Sequence, residues 1–255
     1  MDRKRVFDIC EALIRKNIKI KWSASCRIDY VDSFNDDFIS LLRRSGLTTL
    51  TLGAESGSDR VLESINKHLT VDQIIRTNIK MKTFDIDCYY NFMVGIPGET
   101  KEDIVKTYQL IERLIDDNPR CRFYAQMAYV PFPGTQLYQK SVSLGFEQPR
   151  SLDDWKKIDF SYRSIVTHPW VGIELRRFIT NTSFVIKHVQ LDNVVLQHWF
   201  RVRLKNMIKS IRSNASFFPF IDKAFLMLWL MLQKVSCFFH RANNFRKKLT
   251  KEKAA

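Results

Sequence analysis

Hydrophobic positions over the first half of the chain alternate between helical spacing and strand spacing. Apolar residues three and four positions apart predict helices over residues 2–16, 36–45, 71–84 and 101–117. Short apolar and β-branched runs between them predict strands over residues 18–26, 47–52, 88–94 and 123–130. Strand, polar loop and helix recur at intervals of roughly 35 residues, a pattern typical of βα units in a parallel sheet.

Polar, glycine-containing loops follow three of the predicted strands. They are Gly53–Gly57 (GAESG), Gly95–Thr100 (GIPGET) and Pro131–Thr135 (PFPGT). In parallel α/β folds, ligands bind at the carboxyl ends of the strands, so these loops are the candidate site. Ser58, Thr70 and Thr100 are predicted to cap the helices that follow, and Glu99 is read as a second capping residue beside Thr100.

The composition is that of an ordinary globular protein, with 45% hydrophobic and 27% charged residues among 255. That excludes a collagenous, low-complexity or wholly disordered chain. Five cysteines are too sparse for a disulfide scaffold, and no signal peptide is recognised at the start, so we expect a cytoplasmic protein. The five histidines show no metal-binding spacing, and no metal ligands are predicted.

Positive charge is concentrated at the end of the chain. The net charge is +14, and residues 201–255 contain 13 Lys or Arg against two acids, Asp222 and Glu252. The apolar run from Ala224 to Leu232 is too short to span a bilayer. Residues 201–255 are therefore predicted either to lie on an anionic membrane surface or to pack against protein. Nucleic acid is disfavoured because Leu, Met and Phe separate the basic residues.

The order of the motifs resembles the radical SAM superfamily, and in particular the branch associated with cobalamin-binding domains. Trp22–Asp29 (WSASCRID), GAESG, Ile65–Lys67 (INK), GIPGET and PFPGT carry the resemblance, which extends over residues 2–165. It implies a partial (β/α) barrel in which these strands match the third to the sixth of six units, with the first two units missing. We predict a barrel over residues 1–150, a helical C-terminal extension over 151–215 and a Phe-rich basic tail over 216–255.

The resemblance also implies cofactors. In relatives a CxxxCxxC loop binds a [4Fe-4S] cluster, which cleaves S-adenosylmethionine (SAM) to a 5′-deoxyadenosyl radical. Here the cysteines lie at positions 10, 26, 88, 121 and 237, so that loop is absent. We therefore expect the C-terminal portion of a radical SAM enzyme, inactive alone, with the cluster and any cobalamin domain supplied by a partner chain or an N-terminal half.

The reaction implied by the branch is methyl transfer or ring formation on a small-molecule or lipid substrate. The alternative is a degenerate, non-catalytic barrel that acts as a membrane-surface or partner-binding module. Under that reading the protein is cytoplasmic but peripheral at the membrane, through residues 201–255.

Two charged residues are the first candidates for SAM binding. The resemblance places Glu55, between two glycines at a strand end, against the polar end of SAM, although it could instead cap the helix after Ser58. Lys67 aligns with a basic residue that pairs the SAM carboxylate in relatives.

Four further positions match cofactor contacts of the family. Arg27 stands where some relatives have a ribose-binding acid, so its partner could be a carboxylate or phosphate. Asn91 matches a polar SAM contact or is an internally bonded amide. Met93 and Ala128 match positions whose backbone pairs with adenine. No catalytic residue is predicted.

Overall fold

The computed structural model describes residues 2–124, 126–158 and 168–188, together with 202 and 206, all within the first of the chain's two units, Met1–Ser213. The predicted tail at 216–255 lies outside the described residues. The helices of the described part are α1 (Arg3–Arg15), α2 (Ile28–Asp32), α3 (Asp36–Arg44), α4 (Asp59–Ser64), α5 (Val71–Thr83), α6 (Lys101–Asp117), α7 (Tyr138–Ser143), α8 (Leu152–Trp155) and α9 (Ile173–His188).

Five parallel strands form the sheet of the described part. They are β1 (Trp22–Cys26), β2 (Leu47–Glu55), β3 (Asp87–Val94), β4 (Cys121–Phe123) and β5 (Met127–Ala128). The order is β1-β2-β3-β4, and β5 also pairs with β3. The predicted parallel α/β fold is confirmed. The long helices are as predicted, and a helix follows Ser58 as predicted, whereas the short α2 and α7 were not predicted.

The first predicted strand is shorter than expected. Residues 18–26 were predicted as strand, but β1 begins only at Trp22. The cause is the turn that ends α1, in which Asn17 has a φ of +52° and the Ile18 amide donates to the Leu13 carbonyl over 2.9 Å. Pairing with β2 starts where the Trp22 amide donates to the Gly46 carbonyl.

The last predicted strand, residues 123–130, is broken in two. Tyr90 pairs with Phe123, and Met93 pairs with Met127. Between these two pairs the chain advances four residues, from Phe123 to Met127, while β3 advances three, from Tyr90 to Met93. The one extra residue interrupts the hydrogen-bond ladder, as a bulge does. The predicted continuous strand is therefore wrong, and it is replaced by β4 and β5.

The two faces of the sheet differ in polarity. Leu52, Tyr90 and Phe92 are fully or almost fully buried beneath the helices, with relative exposures of 0%, 0% and 2%. On the other face, Thr51, Tyr89 and their neighbours remain partly accessible. Because both faces of a parallel sheet are normally covered, the accessible face is a surface on which a ligand could bind.

Helix α9 packs against helix α6. The Phe178 and Tyr108 rings meet edge to face at 5.4 Å, and the Ser183 hydroxyl donates to Gln126 Oε1 over 2.7 Å. Part of the predicted helical extension therefore contacts α6. None of the described helices has both the length and the apolar composition that a bilayer-crossing helix requires.

We expect Gly57→Ala to destabilise the fold by about 1–3 kcal/mol, because overpacking strains the backbone. A Cβ at Gly57 would lie 2.5 Å from the Thr107 Cα and 2.6 Å from the Lys106 carbonyl oxygen of α6. Gly172→Ala is the matched control, since its Cβ would meet nothing within 4 Å. Urea unfolding measures both, and equal stabilities would contradict the close packing of the GAESG loop on α6.

Candidate functional site

The carboxyl end of β2 has an unusual backbone conformation. Glu55, its last residue, has a φ of +63°, a region that non-glycine residues seldom occupy. The register against β3 also shifts between Gly53 and Glu55. Backbone strain of this kind costs on the order of 1–3 kcal/mol and concentrates at functional sites.

The end of helix α4 positions Lys67 opposite this carboxylate. Asn66 turns the chain at a φ of +54°, and the Lys67 amide donates to the Leu62 carbonyl over 2.9 Å. The Lys67 ammonium then donates to Glu55 Oε1 over 2.6 Å. The side chains are 21% exposed for Lys67 and 15% for Glu55, so the ion pair is partly shielded from water. Glu55 does not cap α4, and that alternative is wrong.

Gly53 makes room for the ion pair. A Cβ there would lie 2.3 Å from Glu55 Oε1 and 2.9 Å from Lys67 Nζ. A side chain there would force the ends of the Glu55 and Lys67 side chains to move, so glycine at this position favours the ion pair.

Arg27 reaches the same site, where it contacts Asp29, a residue that was not predicted to belong to it. Its guanidinium donates to the Lys67 carbonyl over 3.0 Å and to the Asp29 carboxylate over 3.0 Å. Burial opposes ionisation of Asp29, but its bonds with Arg27 prevail and lower the pKa of this carboxyl. Arg27 is the N-cap residue of α2 and Asp29 lies in the first turn of that helix, so the sequence Arg-x-Asp was the available signal.

The remaining predicted residues lie further along the sheet. Asn91 is the β3 partner of Gly53, so it stands on the accessible face next to the ion pair. Met93 pairs with Met127 at the end of β3. Ala128 is 4% exposed, and its side chain points to the buried face. Arg27, Glu55 and Lys67 therefore form one cluster, and Asn91 and Met93 follow it along the accessible face.

A second carboxylate ties the two loops of the site together. Asp103, at the start of α6, accepts hydrogen bonds from Ser58 over 2.6 Å and from the Thr100 amide over 2.9 Å, and it pairs with Arg60. Burial disfavours its charged form, but these partners outweigh burial and hold the pKa of Asp103 well below its usual range. Ser58 occupies the N-cap position of α4 without capping it, because its hydroxyl serves Asp103.

Glu99 folds back onto its own loop instead of capping α6. Its Oε2 accepts from the Gly95 and Ile96 amides over 2.7 and 3.3 Å, while Oε1 is buried without a hydrogen-bond partner among the described residues. Burial raises the pKa of Glu99 to about 8, and the two amides only partly offset it. Thr100 does cap α6, as predicted, through a capping box with Asp103.

The Glu55–Lys67 pair fits one chemical group well. An α-amino acid carries an ammonium and a carboxylate, so it could replace each member of the pair with an equal charge. SAM has such an end, and the side chains of the pair retain exposures of 21% for Lys67 and 15% for Glu55.

The cysteines do not fit a cluster. Cys10, Cys88 and Cys121 are buried, and Cys26 lies partly buried in β1. Within residues 2–124, 126–158 and 168–188, no three Cys, His, Asp or Glu side chains come together as metal ligands. No step through an iron–sulfur cluster can be derived from these residues.

Comparison with known proteins points to one superfamily. Residues 1–111 match the sequence profile of the Radical SAM superfamily. An uncharacterised methyltransferase of Pyrococcus horikoshii is 31% identical over 144 residues, which cover 56% of this chain and 29% of that protein. An anaerobic magnesium-protoporphyrin IX monomethyl ester cyclase of Rubrivivax gelatinosus is 30% identical over 188 residues, covering 72% of this chain and 32% of the relative.

Among solved structures, the radical SAM methyltransferase TsrM of Kitasatospora setae, with cobalamin and a [4Fe-4S] cluster bound, aligns with 82% of this chain and 49% of its own. Its sequence identity is 13% and the TM-score is 0.45.

Residues 1–111 therefore belong to the radical SAM superfamily, as the motif order predicted. The chain spans about a third of the length of the curated relatives it matches.

We expect the pH dependence of stability to report Glu99. The folded protein keeps this proton up to a pKa of about 8, whereas the unfolded chain releases it near its ordinary value. Stability should therefore fall as the pH rises from about 5 to 8, because the folded state binds more protons over that range. Glu99→Gln should remove most of this fall in urea unfolding.

Glu102→Gln, an exposed neighbour in the first turn of α6, is the control and should keep the wild-type dependence. If Glu99→Gln lost stability with the same slope between pH 5 and 8, Glu99 would not be the titrating group.

Proposed function

We propose that this chain binds SAM through Glu55 and Lys67 and forms part of a radical SAM enzyme that modifies an organic substrate, by methyl transfer or ring formation. The observation that carries the proposal is the 2.6 Å ion pair held at the strained carboxyl end of β2. The names of the relatives, a methyltransferase and a cyclase, support these two reaction types.

The residues of the site bind and orient the cofactor. The Glu55 carboxylate accepts from the ammonium of SAM, and the Lys67 ammonium donates to its carboxylate. Asp29, 28% exposed and held by Arg27, is placed to accept from a hydroxyl. When bound, SAM supplies the methyl and 5′-deoxyadenosyl groups on which the chemistry of the superfamily depends.

The accessible face of the sheet supplies a surface for the substrate. Tyr89 and Tyr124 lie 5.1 Å apart between ring centres, and Tyr124 is 47% exposed. Asn91 and Met93 continue this face toward the ion pair, while Met127, 41% exposed, lies beside Met93. Aromatic and thioether side chains with one amide suit a mostly apolar organic molecule.

The cluster is proposed to come from outside these residues, through a partner chain or an N-terminal half that also holds any cobalamin. Residues 201–255, with their excess of basic residues, remain a candidate for contact with an anionic membrane surface.

Glu55→Gln and Lys67→Met should each weaken SAM binding at least tenfold in calorimetric titration, since each removes one charge contact worth about 1.4 kcal/mol or more. S-adenosylhomocysteine should lose affinity equally, because it has the same amino-acid end. 5′-Methylthioadenosine, which lacks that end, should bind the variants like the wild type.

Lys4→Met and Asp8→Asn, in the exposed ion pair of α1, are the matched controls and should change nothing. Failure of the wild-type chain to bind SAM, or an equal loss for 5′-methylthioadenosine, would refute the assigned roles.

Iron and sulfide reconstitution of this chain alone should give no stoichiometric [4Fe-4S] spectrum, because the cysteines lack the CxxxCxxC spacing. A Cys26→Ser variant should give the same adventitious iron content as the wild type. A full cluster signal that disappears in that variant would show that the chain binds the cluster by other means.

A further inference from the structure

A groove with no part in the proposed function lies at the amino ends of β1 and β2. The turn after α1 and the end of α3 enclose about 630 Å³ there, a volume in the range of small-ligand sites. Glu55 stands at the opposite, carboxyl end of β2, so the groove is separate from the SAM site.

The floor of the groove is aliphatic. Leu13 and Ile14 of α1 line it together with Ile18 and Ile20 from the segment before β1. Ile18 and Ile20 are each 45% exposed, an unusual placement for two large aliphatic residues so close in sequence. The alternating isoleucines that predicted a strand from residue 18 are therefore not part of a strand, and their side chains are accessible.

The rim of the groove is basic. Lys19, Lys21, Arg43 and Arg44 line it, and no acidic residue does. Arg43 is paired with Asp85 over 2.8 Å, whereas the described residues show no ion pair for Lys19, Lys21 or Arg44. Three cations thus surround an apolar floor without the counter-ions that normally accompany such a cluster.

The local backbone fixes this arrangement. The Trp22 indole donates to the Ser45 carbonyl over 3.1 Å, and the Trp22 amide donates to the Gly46 carbonyl over 3.0 Å. The Ile18 amide is bonded to α1 through Leu13. The segment that carries Ile18–Lys21 is therefore anchored at both ends.

We infer that this groove binds one molecule of a single-chain anionic amphiphile, such as a fatty acid. Its alkyl chain would lie on the four aliphatic side chains, while its anionic head would meet Lys19, Lys21 and Arg44. Charge complementarity favours an anion, the apolar floor favours an alkyl chain, and the concave shape favours one molecule over a flat bilayer.

Photolabelling of the full chain tests this assignment. The probe is dodecanoate with a diazirine on its alkyl chain, used below its critical micelle concentration, and labelled peptides are located by mass spectrometry. Label should appear in the peptide containing residues 13–21. Unlabelled dodecanoate should compete, whereas dodecyl maltoside and inorganic phosphate, which lack the charge and the chain respectively, should not.

Lys19→Gln/Lys21→Gln and Ile18→Ser/Ile20→Ser should each reduce labelling of that peptide at least about fivefold, because one removes the charge contacts and the other the apolar contacts. The matched control is Ile79→Ser/Lys82→Gln on the exposed side of α5, which should leave labelling unchanged. All four side chains of the groove variants are exposed, and unchanged melting temperatures would confirm folding.

Three results would overturn the assignment. They are equal competition by dodecyl maltoside, full competition by inorganic phosphate, and labelling only when the probe is embedded in phosphatidylcholine–phosphatidylglycerol vesicles. The last result would identify a bilayer surface as the occupant. SAM binding is measured separately, so either proposal can fail without the other.

Discussion

The carboxylate of Asp103 is the contact on which the arrangement of the site depends. It joins the loop after β2, through Ser58, to the loop after β3, through Thr100. Its side chain is only 4% exposed, so the charge persists there because Arg60 and the surrounding donors satisfy it. Leaving this charge unpaired at that depth would cost several kcal/mol. Moving the two loops apart would break the contacts that satisfy the charge, so the loops are held at a fixed separation.

The strain at Glu55 can be tolerated because of this bracing. The Gly57 amide donates to the Thr107 hydroxyl over 2.8 Å, which fixes the residues just after Glu55 on α6. On the other side, the end of α4 presents Lys67. These contacts on both sides of the loop fix its backbone. They hold Glu55 at its unfavourable φ, the conformation in which its carboxylate meets Lys67.

Much of the fold could be predicted because its signals are local. Thr100 caps α6 and Val71–Thr83 is helical, as the spacing of apolar residues indicated. The break between β4 and β5 was not predictable, since a bulge arises from register with a neighbouring strand. Glu55 and Lys67 were recognised through their motifs. Asp103 was missed because Ser58, which donates to it, is distant in sequence. Asp29 was missed although its partner Arg27 lies only two positions away.

If the site binds SAM as proposed, the pairing of Glu55 with Lys67 also determines what kind of ligand would displace it. In the free protein each charge already has its partner at 2.6 Å, so no unpaired charge destabilises the fold. A ligand with a single charge would satisfy one residue and leave the other partly buried and unpaired, which is costly. A zwitterion breaks the one ion pair between Glu55 and Lys67 and forms two new ones, one with each residue. Its binding free energy is the difference between the two ion pairs formed and the one broken. Under the proposed function, selectivity for an amino-acid end would thus follow from the pair itself, before any contact with the rest of the ligand.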